Sequence, residues 1–155
     1  RLRATAVAQS DLIRALEDTP GMKLAFFDTC HAGALGWERA RQRGLAADAT
    51  ELLNRLADAE VGVVSFHAST ARQPSWEREE WGHGAFTKAL VEALTGEAPG
   101  VRDPFLRSIL DNDPLTHTRL HGYIAERVRQ LTDGVQSPTY VAPSTVPDFP
   151  IARRR

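Results

Sequence analysis

The sequence predicts an α/β domain in which a central, mostly parallel sheet carries helices on both faces, and three observations lead there. Two short apolar runs, Leu24 to Phe27 and Val61 to Phe66, have the length and the aromatic or β-branched content of buried strands. Each run follows a segment with helical spacing, so helix, turn and strand recur as the units of a parallel sheet. Three more segments of helical spacing fill the second half of the chain.

Taken in order, Ser10 and Asp11 can cap a first helix through about Asp18, with Leu12 and Leu16 facing inward at i, i+4. Pro20-Gly21 stops it before the first strand. After Gly33 a short helix or loop is expected around Trp37, and Glu38 to Gly44 reads as exposed linker. Leu52, Leu53 and Leu56 mark a second helix from about Thr50 to Ala59, and the apolar run after it suits a central strand covered on both faces. Ala68 to Gly84 has no periodicity and is expected to be a long loop holding Pro74, two tryptophans and the charged run Glu77 to Glu80. Phe86, Leu90 and Leu94 place a helix over about Ala85 to Thr95, ended by Gly96.

Asp103-Pro104 can open a short helix with Phe105, Ile109 and Leu110 inside, and Asp111-Asn112-Asp113-Pro114 closes it. A longer helix follows from about Thr118 to Thr132, with Leu120, Ile124, Val128 and Leu131 on one face. Val135 to Ala142 can supply a last short strand, after which prolines 143, 147 and 150 are expected to carry the chain outward. Residues 1–142 are therefore read as one unit and 143–155 as a Pro/Arg-rich tail or linker, with no internal repeat and no second domain.

With 155 residues and 42% hydrophobic content the chain can form one core. A formal net charge of -1 and a pI near 6.6 argue against a general nucleic-acid or anionic-membrane binder. The Arg153 to Arg155 cluster reads as a solvated end. A single cysteine excludes an internal disulfide and a Cys-x-x-Cys zinc knuckle, and suits a reducing cytoplasm. No run approaches the ~20 apolar residues of a membrane span, and no signal-peptide pattern opens the chain. Lysine is confined to Lys23 and Lys88 beside many arginines and alanines, a composition that points to a GC-rich bacterial genome.

The stretch that carries chemistry is Met22 to Gly33, where the first strand stops at Asp28, Thr29, Cys30, His31 and a glycine. Ligands bind at the carboxyl ends of strands in open α/β sheets, because loops there carry polar groups into a crevice. A thiolate at such an edge gains from backbone N–H groups and positive neighbours, which make Cys30 a candidate nucleophile. The plainer alternative is a buried cysteine filling space, against which the polar company of Asp28, Thr29 and His31 counts.

Asp-Thr-Cys-His-Ala-Gly, residues 28 to 33, resembles the Asp-x-Cys-His-Ser-Gly nucleophile motif of metacaspases and bacterial caspase-like cysteine proteases, with Ala32 in place of serine. Three further stretches agree, in family order. Ser69 to Glu77, Ser-Thr-Ala-Arg-Gln-Pro-Ser-Trp-Glu, is similar to the substrate-binding loop of caspases. Gly84 to Leu94 is similar to a Gly-x-Phe-Thr-x-x-Leu helix start. Tyr123, Val128 and Gln136-Ser137-Pro138 resemble the Tyr-x-x-x-x-Val helix and Gln-Thr-Pro ending. The resemblance implies a caspase-like (caspase-hemoglobinase) sandwich whose N-terminal strands are absent from this chain.

The family's histidine base lies about 50 residues upstream of the cysteine. No histidine precedes Cys30 here, so the base is expected in an N-terminal segment or subunit, and the isolated chain is expected to be inactive. Gly82-His83-Gly84 resembles the family's Gly-His-Gly base motif, but its place before Phe86-Thr87 matches a different landmark. His31 neighbours the nucleophile and would point to the opposite face of an extended chain. His67 stays open as a base, although family order gives it no support, while His117 and His121 read as surface residues.

The resemblance implies that Cys30 attacks the scissile carbonyl, with Ser75 and Trp76 as pocket wall and Glu77 where caspases carry an arginine. Caspases that cut after aspartate have glutamine two residues before the nucleophile; Asp28 stands there instead. Both acids favour a substrate with arginine or lysine before the scissile bond. The plainer alternatives are Asp28 capping local N–H groups and Glu77 to Glu80 forming a solvated loop face. If the enzyme processes itself, this preference makes arginine-rich sequence such as Arg153 to Arg155 an expected cut site, and a tie to sensor or regulatory domains in bacterial defence or cell death is expected by analogy with the family.

No cofactor is implied. Some metacaspases are calcium-activated, but Asp111-Asn112-Asp113 lacks the spaced acids and closing glutamate of a dedicated site and reads as a turn. A metal site of Cys30, His31 and His67 has no recognised spacing. The competing class is a catalytically inactive caspase-like interaction module or scaffold in which Cys30 is vestigial.

Overall fold

The computed structural model describes residues 8–28, 54–56, 58, 62–69, 73, 76–98 and 100–153. Its elements run α1 (Gln9–Asp18), β1 (Lys23–Phe27), β2 (Val63–His67), β3 (Glu77–Arg78), β4 (His83–Gly84), α2 (Ala85–Thr95), α3 (Pro104–Asp111), β5 (Leu115–Thr116), α4 (His117–Leu131), β6 (Thr139–Val141) and β7 (Pro150–Ala152). Residues 54–56 are also helical. Leu52, Leu53 and the segment around Trp37 lie outside the described residues.

Strands β1 and β2 pair in parallel, Phe26 opposite Phe66 and Phe27 opposite His67, and β6 joins β2 antiparallel with Tyr140 opposite Phe66. All five residues of β2 are buried, as a central strand requires, whereas those of β1 are only half-buried. Side chains alternate across the sheet, so each strand feeds two cores. On one face Leu24, Phe26, Val64 and Phe66 meet the helices α2, α3 and α4; on the other Ala25, Phe27 and Val63 meet Leu16 of α1 and Leu56. The sheet is thus clothed on both faces, as the sequence predicts.

Several helix faces differ from their expected ones. Ala8, which makes no side-chain cap, precedes α1, so Ser10 and Asp11 sit inside its first turn. The α2 stripe Phe86, Leu90, Leu94 rotates by about 40° per step at 3.6 residues per turn and leaves the core, with Leu94 43% exposed. Ala89 and Ala93 are buried instead, and such small residues let α2 approach α4 closely. In α3 the buried residues are Leu106, Ile109 and Leu110, while Phe105 is 55% exposed. The expected cap of α3 is present: Asp103 Oδ1 accepts from the N–H of Phe105 at 2.8 Å.

Helices α2 and α4 are joined by a buried carboxylate. Glu92 accepts from Arg127 Nε at 2.8 Å and Nη2 at 3.1 Å, from the Tyr123 hydroxyl at 3.0 Å, and pairs with Lys88 at 3.3 Å. Burial alone would push the Glu92 carboxyl up, but the Arg127 hydrogen bonds and charge outweigh it and hold it below the usual carboxylate range. Burial, then the neighbouring Glu92 charge, pushes the Tyr123 phenol up.

The prolines after β6 do not lead the chain outward. Residues 143–153 fold back, β7 pairs with β5, and Val146, Phe149 and Ile151 pack on the core. His117, expected at the surface, is the buried anchor of this return. Its Nδ1 meets the Tyr140 hydroxyl at 2.5 Å, and its Nε2 lies 3.1 Å from Pro147 O and 3.3 Å from Asp148 Oδ1. His121, half-buried, stacks on Tyr140 with centroids 4.4 Å apart. Both histidines are therefore structural. Spacing alone hid this, because their partners lie some 20 to 30 residues further along the chain.

Candidate active site at the strand ends

Asp28 follows the last residue of β1, and its exposed carboxylate rests against the start of α2. Thr87, in the first turn of α2, donates its hydroxyl to Asp28 Oδ2. Oδ1 has no hydrogen-bond partner among the described residues. The positive end of the α2 dipole favours a negative charge here.

The β3–β4 hairpin fixes what surrounds this carboxylate. Glu77 stands opposite Gly84, and the N–H of Ala85 donates to Trp76 O at 2.8 Å. That bond lies just outside the Glu77–Gly84 pair, which marks the two as a non-hydrogen-bonded pair, so the N–H and C=O of Glu77 point away from β4. A Cβ on Gly84 would lie 3.6 and 3.8 Å from the two Asp28 carboxylate oxygens and 3.4 Å from Trp76 O. Directly opposed residues share a face. Glu77 and Asp28 therefore lie on the same side of the hairpin, and Gly84 leaves room between them.

Trp76 precedes Glu77 and is 40% exposed, whereas Trp81 packs on the core with the Arg78 guanidinium 5.0 Å over its ring. His83 neighbours Gly84 on β4 and by alternation faces the side away from Asp28; its Nδ1 lies 3.2 Å from Gly84 O. His67 belongs to β2 itself, stacked on Phe27 at 4.9 Å with Nε2 2.9 Å from Ser65 Oγ. Burial pulls its pKa down to about 4, so the ring is neutral at pH 7. Ser69 Oγ, just past β2, is enclosed and has no partner among the described residues.

Residues 3–148 match the family model of the caspase domain. The chain belongs to the caspase-domain family. No curated protein and no solved structure matches it. Membership puts the chain among caspase-type cysteine peptidases, which act on polypeptides, and its α/β architecture is that of the family.

In this caspase domain Asp28, Trp76 and Glu77, separated in sequence by about fifty residues, come to one sheet edge. Cys30, His31 and Ser75 lie outside the described residues, as do Arg154 and Arg155. No group of three or more His, Cys, Asp or Glu side chains among the described residues is placed to hold a metal ion. No described helix is long and apolar enough to cross a membrane. Asp111 ends α3 and pairs with Arg107 at 3.7 Å. Two residues of the site escaped the sequence reading: Thr87 and Gly84. Both stand inside a motif that served there only as a landmark, Gly84-x-Phe86-Thr87.

Proposed function

We propose that this chain is the cysteine-bearing part of a caspase-type endopeptidase that cleaves after arginine or lysine. The observation that carries the reading is the pair of carboxylates, Asp28 and Glu77, on one side of the hairpin with only glycine between. A guanidinium or ammonium seated there meets two acids, whereas an aspartate would meet like charge. The outward N–H and C=O of Glu77 offer a strand edge to an extended peptide, and the indole of Trp76 borders the neighbouring subsite.

The Cys30 thiolate adds to the scissile carbonyl carbon, and the resulting oxyanion takes hydrogen bonds from the Cys30 N–H and a glycine N–H beside the histidine. Collapse of the intermediate expels the amine, which receives its proton from the histidine, and water then hydrolyses the acyl-enzyme. The histidine comes from a segment upstream, whose strand would pair along β1. Neither His67, neutral and bonded to Ser65, nor His83, facing away from Asp28, suits that role. A regulated bacterial protease joined to a sensor module and working in the cytoplasm fits this reading by analogy alone.

Labelling tests it. In the assembly that includes the histidine segment, a peptidyl electrophile ending in arginine should modify Cys30, located by mass spectrometry, and its aspartyl counterpart should not. Failure of every probe to reach Cys30 in that assembly would favour the scaffold class instead.

A further inference from the structure

Gln136 is 1% exposed, and its side-chain amide joins the two ends of the segment that leads from β2 to β3. Its Nε2 donates to Ala68 O at 2.7 Å, and its Oε1 accepts from the N–H of Trp76 at 2.8 Å. One primary amide thus stands where the peptide group of a neighbouring strand would stand, with donor and acceptor both satisfied. Behind it, the N–H of Gln136 donates to Thr132 Oγ1 at 3.2 Å, and that hydroxyl donates to Val128 O at 2.8 Å, which roots the clamp in the C-terminal turn of α4. A second glutamine reciprocates: the N–H of Ser137 donates to Gln73 Oε1 at 3.0 Å.

The consequence falls on Trp76. Its N–H is held by Gln136 and its C=O by Ala85, so both of its backbone groups face inward. Along a strand the backbone groups of successive residues point to opposite edges, so those of Glu77 are turned outward. A buried amide on a neighbouring segment therefore sets which edge of the Trp76–Glu77 strand is open.

We propose that Gln136 is the positioning residue of the substrate-pairing strand, fixing Trp76 so that Glu77 presents its N–H and C=O to an extended peptide. This deepens the protease reading and rests on it. A positioning role predicts a selective defect, because only a substrate long enough to pair with the strand depends on its alignment.

The test compares Gln136→Met, close in volume but unable to bridge the two groups, with the unmodified protein in the assembly that contains the histidine segment. Hydrogen exchange should show the Trp76 amide losing about tenfold or more of its protection, the size expected for one lost hydrogen bond to a buried group, while α2 and α4 keep theirs. For a tetrapeptide ending in arginine, KM should rise about tenfold with kcat little changed, while a single-residue arginine amide should be turned over as before. Gln136→Glu, which keeps the acceptor for Trp76, should restore part of the tetrapeptide KM.

Unchanged Trp76 protection would overturn the clamp. Loss of protection with equal defects on both substrates would overturn the positioning role and leave Gln136 merely structural. If the unmodified assembly turns over neither substrate, the protease reading fails and the role with it, while the exchange result still decides the clamp.

Discussion

Glu92 and Asp28 are both carboxylates tied to helix α2, and their surroundings differ in kind. Glu92 is buried between α2 and α4, where Arg127, Tyr123 and Lys88 satisfy both of its oxygens. Asp28 sits exposed at the other end of the helix with the Thr87 hydroxyl as its one hydrogen-bond partner among the described residues, beside a second acid on the same side of the hairpin. A carboxylate in the first setting locks two helices together. One in the second retains capacity for a cation that the described residues do not supply. The contrast gives stability to the helix layer and, in the proposed reading, recognition to the strand ends.

Breaking the helix-layer pair should have the largest effect on folding. Arg127→Met leaves the buried Glu92 carboxylate with only Lys88 and the Tyr123 hydroxyl, which should cost toward the low end of the about 3–5 kcal/mol typical of a broken buried pair and, for a domain of this size, lower Tm by roughly 10 °C. Adding Glu92→Leu to that variant should recover part of the loss, since the buried carboxylate that lost its bidentate partner is then gone. Asp28→Asn, by contrast, keeps the hydrogen bond from Thr87 and should leave Tm nearly unmoved. Thermal melts of the three variants check this, and equal destabilisation by Arg127→Met and Asp28→Asn would erase the contrast.

A smaller effect comes from His67, which the fold holds neutral. Its folded pKa of about 4 lies below the unfolded value of about 6.5, so the unfolded chain binds more protons between those values. Stability should therefore fall as pH drops from about 6.5 to about 4, by up to about 3 kcal/mol from this ring alone. Burial lowers the His121 pKa too and acts in the same direction. Urea melts across this window should show the slope, and His67→Phe, which keeps the stacking on Phe27, should flatten it. A slope unaffected by the substitution would show that His67 is not the titrating group.

The sheet was legible in the sequence because apolar runs bounded by Pro-Gly and by polar residues leave little freedom: β1 and β2 begin within two residues of their expected starts and end within one. Helices α2 and α4 were legible for the same reason, with capping residues at Gly96 and periodic apolar positions. Which residue on a helix meets the core was less so. Leu94 and Phe105 look more apolar than Ala89 and Leu106, but the geometry of the interface decides, and small residues won where helices cross closely. The C-terminal return was hidden because three prolines suggest an exit, while the evidence against it, the partners of His117, is non-local.

The candidate site divides along the same line. Asp28, Trp76 and Glu77 could be named from motifs, since their chemistry shows in the side chain. Gln136 and Thr87 act by hydrogen bonding to distant groups, and nothing in their local sequence announces a partner fifty or more residues away.

The most direct test of the carboxylate pocket is a peptide panel that varies only the residue before the scissile bond, run on the assembled protease and on its Asp28→Asn variant. Losing one partner of a desolvated charge pair costs about 2–5 kcal/mol, so cleavage after arginine should drop by orders of magnitude in the variant. The account predicts arginine and lysine far above aspartate for the unmodified protein, with that preference collapsing in Asp28→Asn; preferred cleavage after aspartate, or an arginine preference indifferent to Asp28, would contradict it.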